Sequence, residues 1–309
     1  MRRFTVAAAL LAAGSTWAAA QQRPQFRAFT DIVTVDVSVR RGNQPVQGLK
    51  AADFQLSDNS VPQTIEMFEM TALPLDVTVA VDTSGSMVTM LDPVRGHMQQ
   101  SAAILKPGDR MRLISFSDAV TQLSPFTPVS PGFLVPPLAG GGATSMYDGL
   151  VAALVPPREG DRRHLVVAFT DGVDTMSVLG SEALLEVGRR SDSVLHLFLI
   201  TVSGVTRPPP PPVDWRLDTR SRWSPATVED AFFTLRDTAR DTGGLFQRLF
   251  DSPSMPEALR RAIEDFRTSY VLRYRATGVA RDGWHAIDVR LVKPAPGTTI
   301  RARRGYFGS

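Results

Sequence analysis

The chain has 309 residues, 43% hydrophobic and 21% charged, a balance that excludes collagen-like, coiled-coil and wholly disordered chains and suffices for one large or two medium domains. Lys and Arg number 34 against 31 Asp and Glu, a net charge of +3 that falls to +1 once Arg2 and Arg3 leave with the leader described below, so charge gives no ground for nucleic-acid binding. Cysteine is absent, which excludes disulfides, zinc–thiolate sites, thiol nucleophiles and a lipidated N-terminal Cys, and the scattered His97, His164, His196 and His285 offer little to a histidine-centred reaction.

Met1-Arg2-Arg3 and the apolar run 4–13 are followed by Ala18-Ala19-Ala20. That order of basic start, apolar run and small residues is an export signal cleaved before Gln21. No later stretch reaches the roughly 18 uninterrupted apolar residues of a membrane span. A periplasmic or extracellular protein without a membrane span is therefore expected.

Residues 31–40 (DIVTVDVSVR) alternate apolar and polar residues as a half-buried strand does. A turn at 41–45 and two more short strands around Asp58-Asn59 complete an N-terminal β segment, assigned to 21–71. From Leu73 the pattern changes. LPLDVTVAVD is nearly all apolar, as in a parallel sheet buried on both faces. A helix over about 88–105, a strand at RMRLISFSD, a helix over 145–155, a strand at HLVVAFTDG, a helix at SEALLEVGRRS and a strand at VLHLFLITV follow. A helix at VEDAFFTLRDTARDTGG, a short strand at LFQRLF and a helix at MPEALRRAIEDFRTSY end the run.

This alternation predicts a doubly wound, mostly parallel α/β sheet over 72–270. The tail returns to β in SYVLRYRA, HAIDVRLV and TTIRARRGY. Neither flank can bury two faces alone, so 271–309 is expected to pack with 21–71 as a small split β-sandwich beside the α/β domain.

Chemistry concentrates where the strands end, since ligands of open parallel sheets bind outside the carboxyl ends of the strands. Asp82-Thr83-Ser84-Gly85-Ser86 ends the first α/β strand, Gly140-Gly141-Gly142-Ala143-Thr144 precedes a helix, and Thr170-Asp171-Gly172 ends another apolar strand. Asp82, Ser84, Ser86, Thr144 and Asp171 form a set of hard oxygen donors without Cys or His, which favours Mg²⁺, with Mn²⁺ or Ca²⁺ as alternatives, over zinc or copper. Ser145 adjoins Thr144 and could supply the hydroxyl instead.

These three motifs resemble the metal-ion-dependent adhesion site of von Willebrand factor A (VWA) domains. The resemblance implies a VWA/Rossmann-like fold in which the hydroxyls of Ser84, Ser86 and Thr144 contact the ion and Asp82 and Asp171 bind it directly or through water. A carboxylate from a protein partner would complete the shell. The flanks, VDVSVRRGNQPVQGLKAADFQLSDNSVPQTI at one end and DTGGLF, SYVLRYR, DGWHAIDV and RARRGYF at the other, resemble those of VWFA-related exported bacterial proteins.

Other residues have plainer roles. Asp174 is a turn residue or an orienter of metal-bound water, and Asp148 favours the dipole of its helix. Residues 203–227, with Pro208–Pro212, Trp215 and Trp223, are a partner-selectivity loop or a surface insertion. Arg301, Arg303 and Arg304 are expected at a solvated strand edge, and His285 on a strand face. The function expected is a metal-dependent protein-binding module and not an enzyme. The alternatives are a structural cell-envelope component with a stabilising ion, or a metal-dependent hydrolase.

Overall fold

The computed structural model describes residues 32–70, 73–130, 134–155, 162–200, 225–249 and 255–308. The expected export signal (1–20) and residues 203–224 of the proline-rich loop lie outside the described residues. Residues Ile32–Ser309 form one compact unit.

In chain order the N-terminal strands are β1 (Ile32–Arg41), β2 (Gln44–Pro45), β3 (Phe54–Asp58), β4 (Val61–Gln63) and β5 (Ile65–Met70). The α/β region then runs β6 (Leu75–Asp82), α1 (Leu91–Ala102), β7 (Arg110–Phe116), β8 (Val120–Pro128), α2 (Met146–Leu154) and β9 (Arg163–Thr170). It continues through α3 (Ser181–Arg190), β10 (Val194–Ile200), α4 (Pro225–Asp241), β11 (Phe246–Leu249) and α5 (Met255–Arg267). The tail adds β12 (Tyr270–Arg275), β13 (Gly283–Leu291), β14 (Thr298–Ala302) and β15 (Gly305–Gly308).

The central sheet has the order β11-β10-β9-β6-β7-β8. All neighbours pair in parallel except β8, which returns antiparallel along β7. Every residue of β6 is buried, and its side chains alternate between two cores. Leu75, Val77, Val79 and Val81 pack with Met98 of α1 and Ile263 and Phe266 of α5. Ala80 faces Leu150 of α2, Leu184 of α3 and Leu235 of α4. The layers are thus helix–sheet–helix, as the alternating sequence predicts. Strand β8 was not foreseen, because its polar, half-exposed residues carry neither a buried run nor clean alternation. The helix expected from about 88 opens instead as a 3₁₀ turn over Gly85–Met90.

The flanking strands form two antiparallel sheets, one with the order β14-β1-β12-β5 and the other β15-β13-β3-β4. Val35 and Val37 of β1, Phe54 and Leu56 of β3, Tyr270 and Leu272 of β12 and Ile287 of β13 share one core, so N- and C-terminal segments build one small sandwich, as the composition of the flanks predicts.

The sandwich joins the α/β layer through buried ion pairs. Arg163, at the start of β9, donates to Asp36 Oδ1 at 2.8 Å and to the Phe266 carbonyl at 2.8 Å. Asp265, only 3% exposed, accepts from Ser38 and Arg40 at 2.7 Å each and from Arg301. This corrects the expectation for the terminal arginines. Arg303 is buried and donates to the carbonyls of Gly305, Arg189 and Ser191, closing the C-terminal end of α3, where last-turn carbonyls lack helical partners. Only Arg304 of the three is an exposed side chain.

Candidate metal site

The chain leaves β6 on one side to make β7 and returns on the other to make β9. The carboxyl ends of β6 and β9 therefore flank the point where strand order reverses, the position at which open α/β sheets bind ligands. Asp82 is the last residue of β6, and Asp171 follows the last residue of β9.

Four of the five predicted donors are linked by hydrogen bonds. The Ser86 hydroxyl donates to Asp171 Oδ2 at 2.6 Å, and Ser84 Oγ lies 3.2 Å from Ser86 Oγ. Asp82 Oδ1 accepts the Ser84 N–H at 2.9 Å, and its Oδ2 accepts the Thr170 hydroxyl at 2.7 Å. Asp82 is fully buried and Ser84 nearly so. Burial pushes the Asp82 carboxyl up to about 6, opposed by its bonds to Ser84 and Thr170 and reinforced by the charge of Asp171. Thr170 was not singled out in the sequence, where it reads only as the residue before Asp171.

Thr144, 4% exposed, is placed by its backbone. Its N–H donates to Thr175 Oγ1 at 2.8 Å, and its carbonyl accepts the N–H groups of Thr175 and Met176 at 2.9 and 3.1 Å. The glycine loop before it is bonded to the first motif. Gly141 N–H donates to the Thr83 carbonyl at 2.8 Å, and Gly85 N–H donates to the Gly142 carbonyl at 3.1 Å. Gly142 takes φ of 80°, a conformation that favours glycine. At Gly140 a Cβ would stand 2.3 Å from Leu91 Cδ1 and 3.3 Å from the Thr83 carbonyl, so a side chain there would have to displace Leu91. The Ser145 hydroxyl donates to the Ser117 carbonyl at 2.8 Å; of the two neighbouring hydroxyls it is the one committed elsewhere.

Asp174 and Asp148 act as reciprocal clamps. Asp174 Oδ2 accepts the N–H of Tyr147 in the first turn of α2 at 3.2 Å, capping that helix from another loop. Asp148 in turn accepts the N–H groups of Val178 and Leu179 at 2.9 Å each. Both carboxylates thus tie the Asp171 loop to the helix that follows Thr144. Asp174 also accepts the Ser177 N–H at 3.2 Å, the turn role expected of it; the clamp comes in addition to that role and to the place of Asp148 in the first turn of α2. The local motif spacing held no sign of the clamp.

The predicted bystanders are structural. His164 bonds Thr78 at 2.7 Å and Ser193 at 2.6 Å, and burial pulls it down to about 3. His196 is fully buried and likewise pulled down to about 3 by burial. His285 is buried on β13, on a strand as expected, with Nδ1 2.9 Å from Asp58 Oδ1 and its ring stacked on Tyr306.

The donor set fits a hard divalent cation: two carboxylates and hydroxyl oxygens, with no sulfur or imidazole. Among the described residues no group of three His, Cys, Asp or Glu side chains is placed to hold a metal, so hydroxyls must complete any shell.

The fold is von Willebrand factor A-like. No family model matches the chain, and no curated protein matches it. Among solved structures, a von Willebrand factor type A protein from Catenulispora acidiphila is similar at 11% identity, with 81% of this chain and 72% of that one covered and a TM-score of 0.47. The protein BatB from Bacteroides thetaiotaomicron is similar at 17% identity over 62% of this chain and 98% of that one, with a TM-score of 0.43. Proximal thread matrix protein 1 of the mussel byssus, with a zinc-occupied MIDAS motif, is similar at 11% identity over 68% and 49% of the two chains, with a TM-score of 0.46. None reaches a TM-score of 0.5; the strand order and the convergence of the three motifs carry the description of the fold.

Proposed function

We propose that the chain is an exported, metal-dependent protein-binding module that captures an acidic residue of a partner. The observation that carries the reading is the meeting of Asp82, Ser84, Ser86 and Asp171 at the point of strand-order reversal, with the Thr144 loop bonded to the same motif. Asp82, Ser84, Ser86, Thr144 and Asp171 would hold the ion, Mg²⁺ first and Mn²⁺ or Ca²⁺ as alternatives. When bound, the ion supplies a Lewis-acid position open to a partner's carboxylate.

Two further features support binding over the alternatives. Met176 and Val178 are exposed on the loop after Asp171, Val178 to 90%, although hydrogen bonds to Thr144 and Asp148 hold the backbone there. Exposed apolar side chains on a loop with a fixed backbone give a partner something to bury beside the ion. The charged donors that meet are the two carboxylates Asp82 and Asp171, joined by serine hydroxyls and by no imidazole, a set that supports ion-mediated binding better than histidine-based hydrolysis. Export rests on the N-terminal sequence; among the described residues no helix is long and apolar enough to cross a membrane.

The test is calorimetric titration of Mg²⁺ and Mn²⁺ into metal-stripped residues 21–309 beside Asp171→Ala. One saturable site lost in the variant is expected, followed by partner capture that EDTA abolishes. Capture of an identified partner undiminished in EDTA would overturn the reading, and a metal-dependent melting shift without any capture would favour the structural alternative.

A further inference from the structure

The end of β7 and the turn that follows it touch the candidate site at three points, through Phe116, Ser117 and Asp118, which belong to none of the three motifs. The Phe116 carbonyl, at the end of β7, accepts the Thr83 N–H at 2.9 Å and so holds the first motif. The Ser117 carbonyl accepts both the N–H and the hydroxyl of Ser145, at 2.9 and 2.8 Å. Asp118 Oδ1 accepts the Ala143 N–H at 2.7 Å, and its carboxylate lies against Gly142, where a Cβ would stand 2.2 Å from Oδ2. Thr144 is therefore slung between two anchors on one turn, Asp118 holding the residue before it and Ser117 the residue after it.

We propose that Asp118 is a positioning residue for the cation site: its carboxylate fixes the Gly142–Thr144 backbone at the sheet edge where Asp82, Ser84, Ser86 and Asp171 meet. The proposal rests on the metal-binding reading above and extends it to a residue outside the donor set. The physical need is specific. Gly140, Gly141 and Gly142 give this loop more backbone freedom than any other stretch of the site, and a donor on a free loop loses affinity through the entropy of ordering it. A charge-assisted bond to a backbone N–H removes that freedom before the ion arrives. Asp118 itself is exposed on its turn, so its replacement leaves both cores of the central sheet intact.

The experiment titrates Mn²⁺ into metal-stripped residues 21–309 as wild type, Asp118→Ala and Asp118→Asn. Amide exchange at Ala143 is followed in the ion-free proteins. Removal of an outer partner of a metal site weakens affinity by about tenfold or more. Asp118→Ala is expected to show about that loss, with faster exchange at Ala143 and a melting temperature close to wild type. Asp118→Asn keeps an acceptor oxygen and is expected to recover most of the affinity and the protection. Wild-type affinity in Asp118→Ala would overturn the proposal while leaving the metal site standing. Equal losses in both variants, with Ala143 still protected, would overturn it in favour of simple charge attraction. A wild type with no saturable site would remove the metal reading itself, and the proposal with it.

Discussion

Ser86 and Asp171, 85 positions apart in the chain, meet through a 2.6 Å hydrogen bond from the Ser86 hydroxyl to Asp171 Oδ2. The bond joins the turn after β6 to the turn after β9 across the point where strand order reverses.

Ser86→Ala removes one donor and leaves Asp171 without that proton. Ion affinity measured by calorimetry should fall by at least tenfold, the scale of lost shell partners. The metal-free protein should melt within a few degrees of wild type, since the hydroxyl is only part-buried. Unchanged affinity would place the ion elsewhere.

The buried Asp82 gives the metal-free protein a specific pH dependence. Its folded-state value lies near 6, above the ordinary 3.8. A carboxyl raised in this way stabilises the fold fully below 3.8, and that contribution is lost as pH rises through about 6. Chemical denaturation of the stripped protein at pH 5 and pH 7 should therefore show this group favouring pH 5 by about 1–2 kcal/mol. Asp82→Asn should flatten the difference. Added Mg²⁺ should reverse it, because the ion competes with the proton for the carboxylate.

Asp174→Ala leaves the Tyr147 N–H at the start of α2 without its acceptor and frees the Ser177 N–H as well. Loss of a helix cap costs about 1 kcal/mol, which a urea midpoint would register. The larger effect is expected on hydrogen exchange of Tyr147 and of residues 175–177, with ion affinity reduced because the Thr144 and Asp171 loops are no longer clamped together.

Asp265→Ala tests the junction between sandwich and α/β layer. It removes the carboxylate shared by Arg40 and Arg301, which are 20% and 23% exposed, and leaves the Ser38 hydroxyl without its acceptor; loss of one partner at such a part-buried contact costs about 1–3 kcal/mol. Thermal unfolding should shift down by several degrees while the ion titration of the folded variant stays at wild-type affinity. A loss of ion binding at a temperature where the variant remains folded would contradict the separation of junction and site.

Gly142→Ala forces a side chain into a backbone conformation with φ of 80°, at about 1–2 kcal/mol, and drives the Asp118 carboxylate off the loop. Ion affinity should fall more than in Asp118→Ala, which loses the bond alone.

Much of the fold was written locally. The nearly continuous apolar run of β6, flanked by glycine and proline turns, pointed to a strand buried on both faces, and its repetition to helices above and below. The donor set was legible for the same reason: strand ends in such sheets are ligand positions, and oxygen side chains with glycines at three of them form a pattern before any packing is known. Composition alone also ruled out thiol and disulfide chemistry.

What the sequence could not carry were relationships whose partners lie far apart in the chain. Strand β8 is polar and half-exposed, so it is held by its ladder to β7 and not by a hydrophobic pattern. Arg303 reads as a surface arginine until the Arg189 and Ser191 carbonyls are seen above it. Asp118, Asp148 and Asp174 are ordinary turn and helix-start residues until folding brings Ala143, Val178 and Tyr147 within reach. Side-chain chemistry and local periodicity are properties of the sequence; which backbone N–H a carboxylate finds is decided by packing, because a hydrogen bond depends on distance and angle that only the assembled sheet and loops fix.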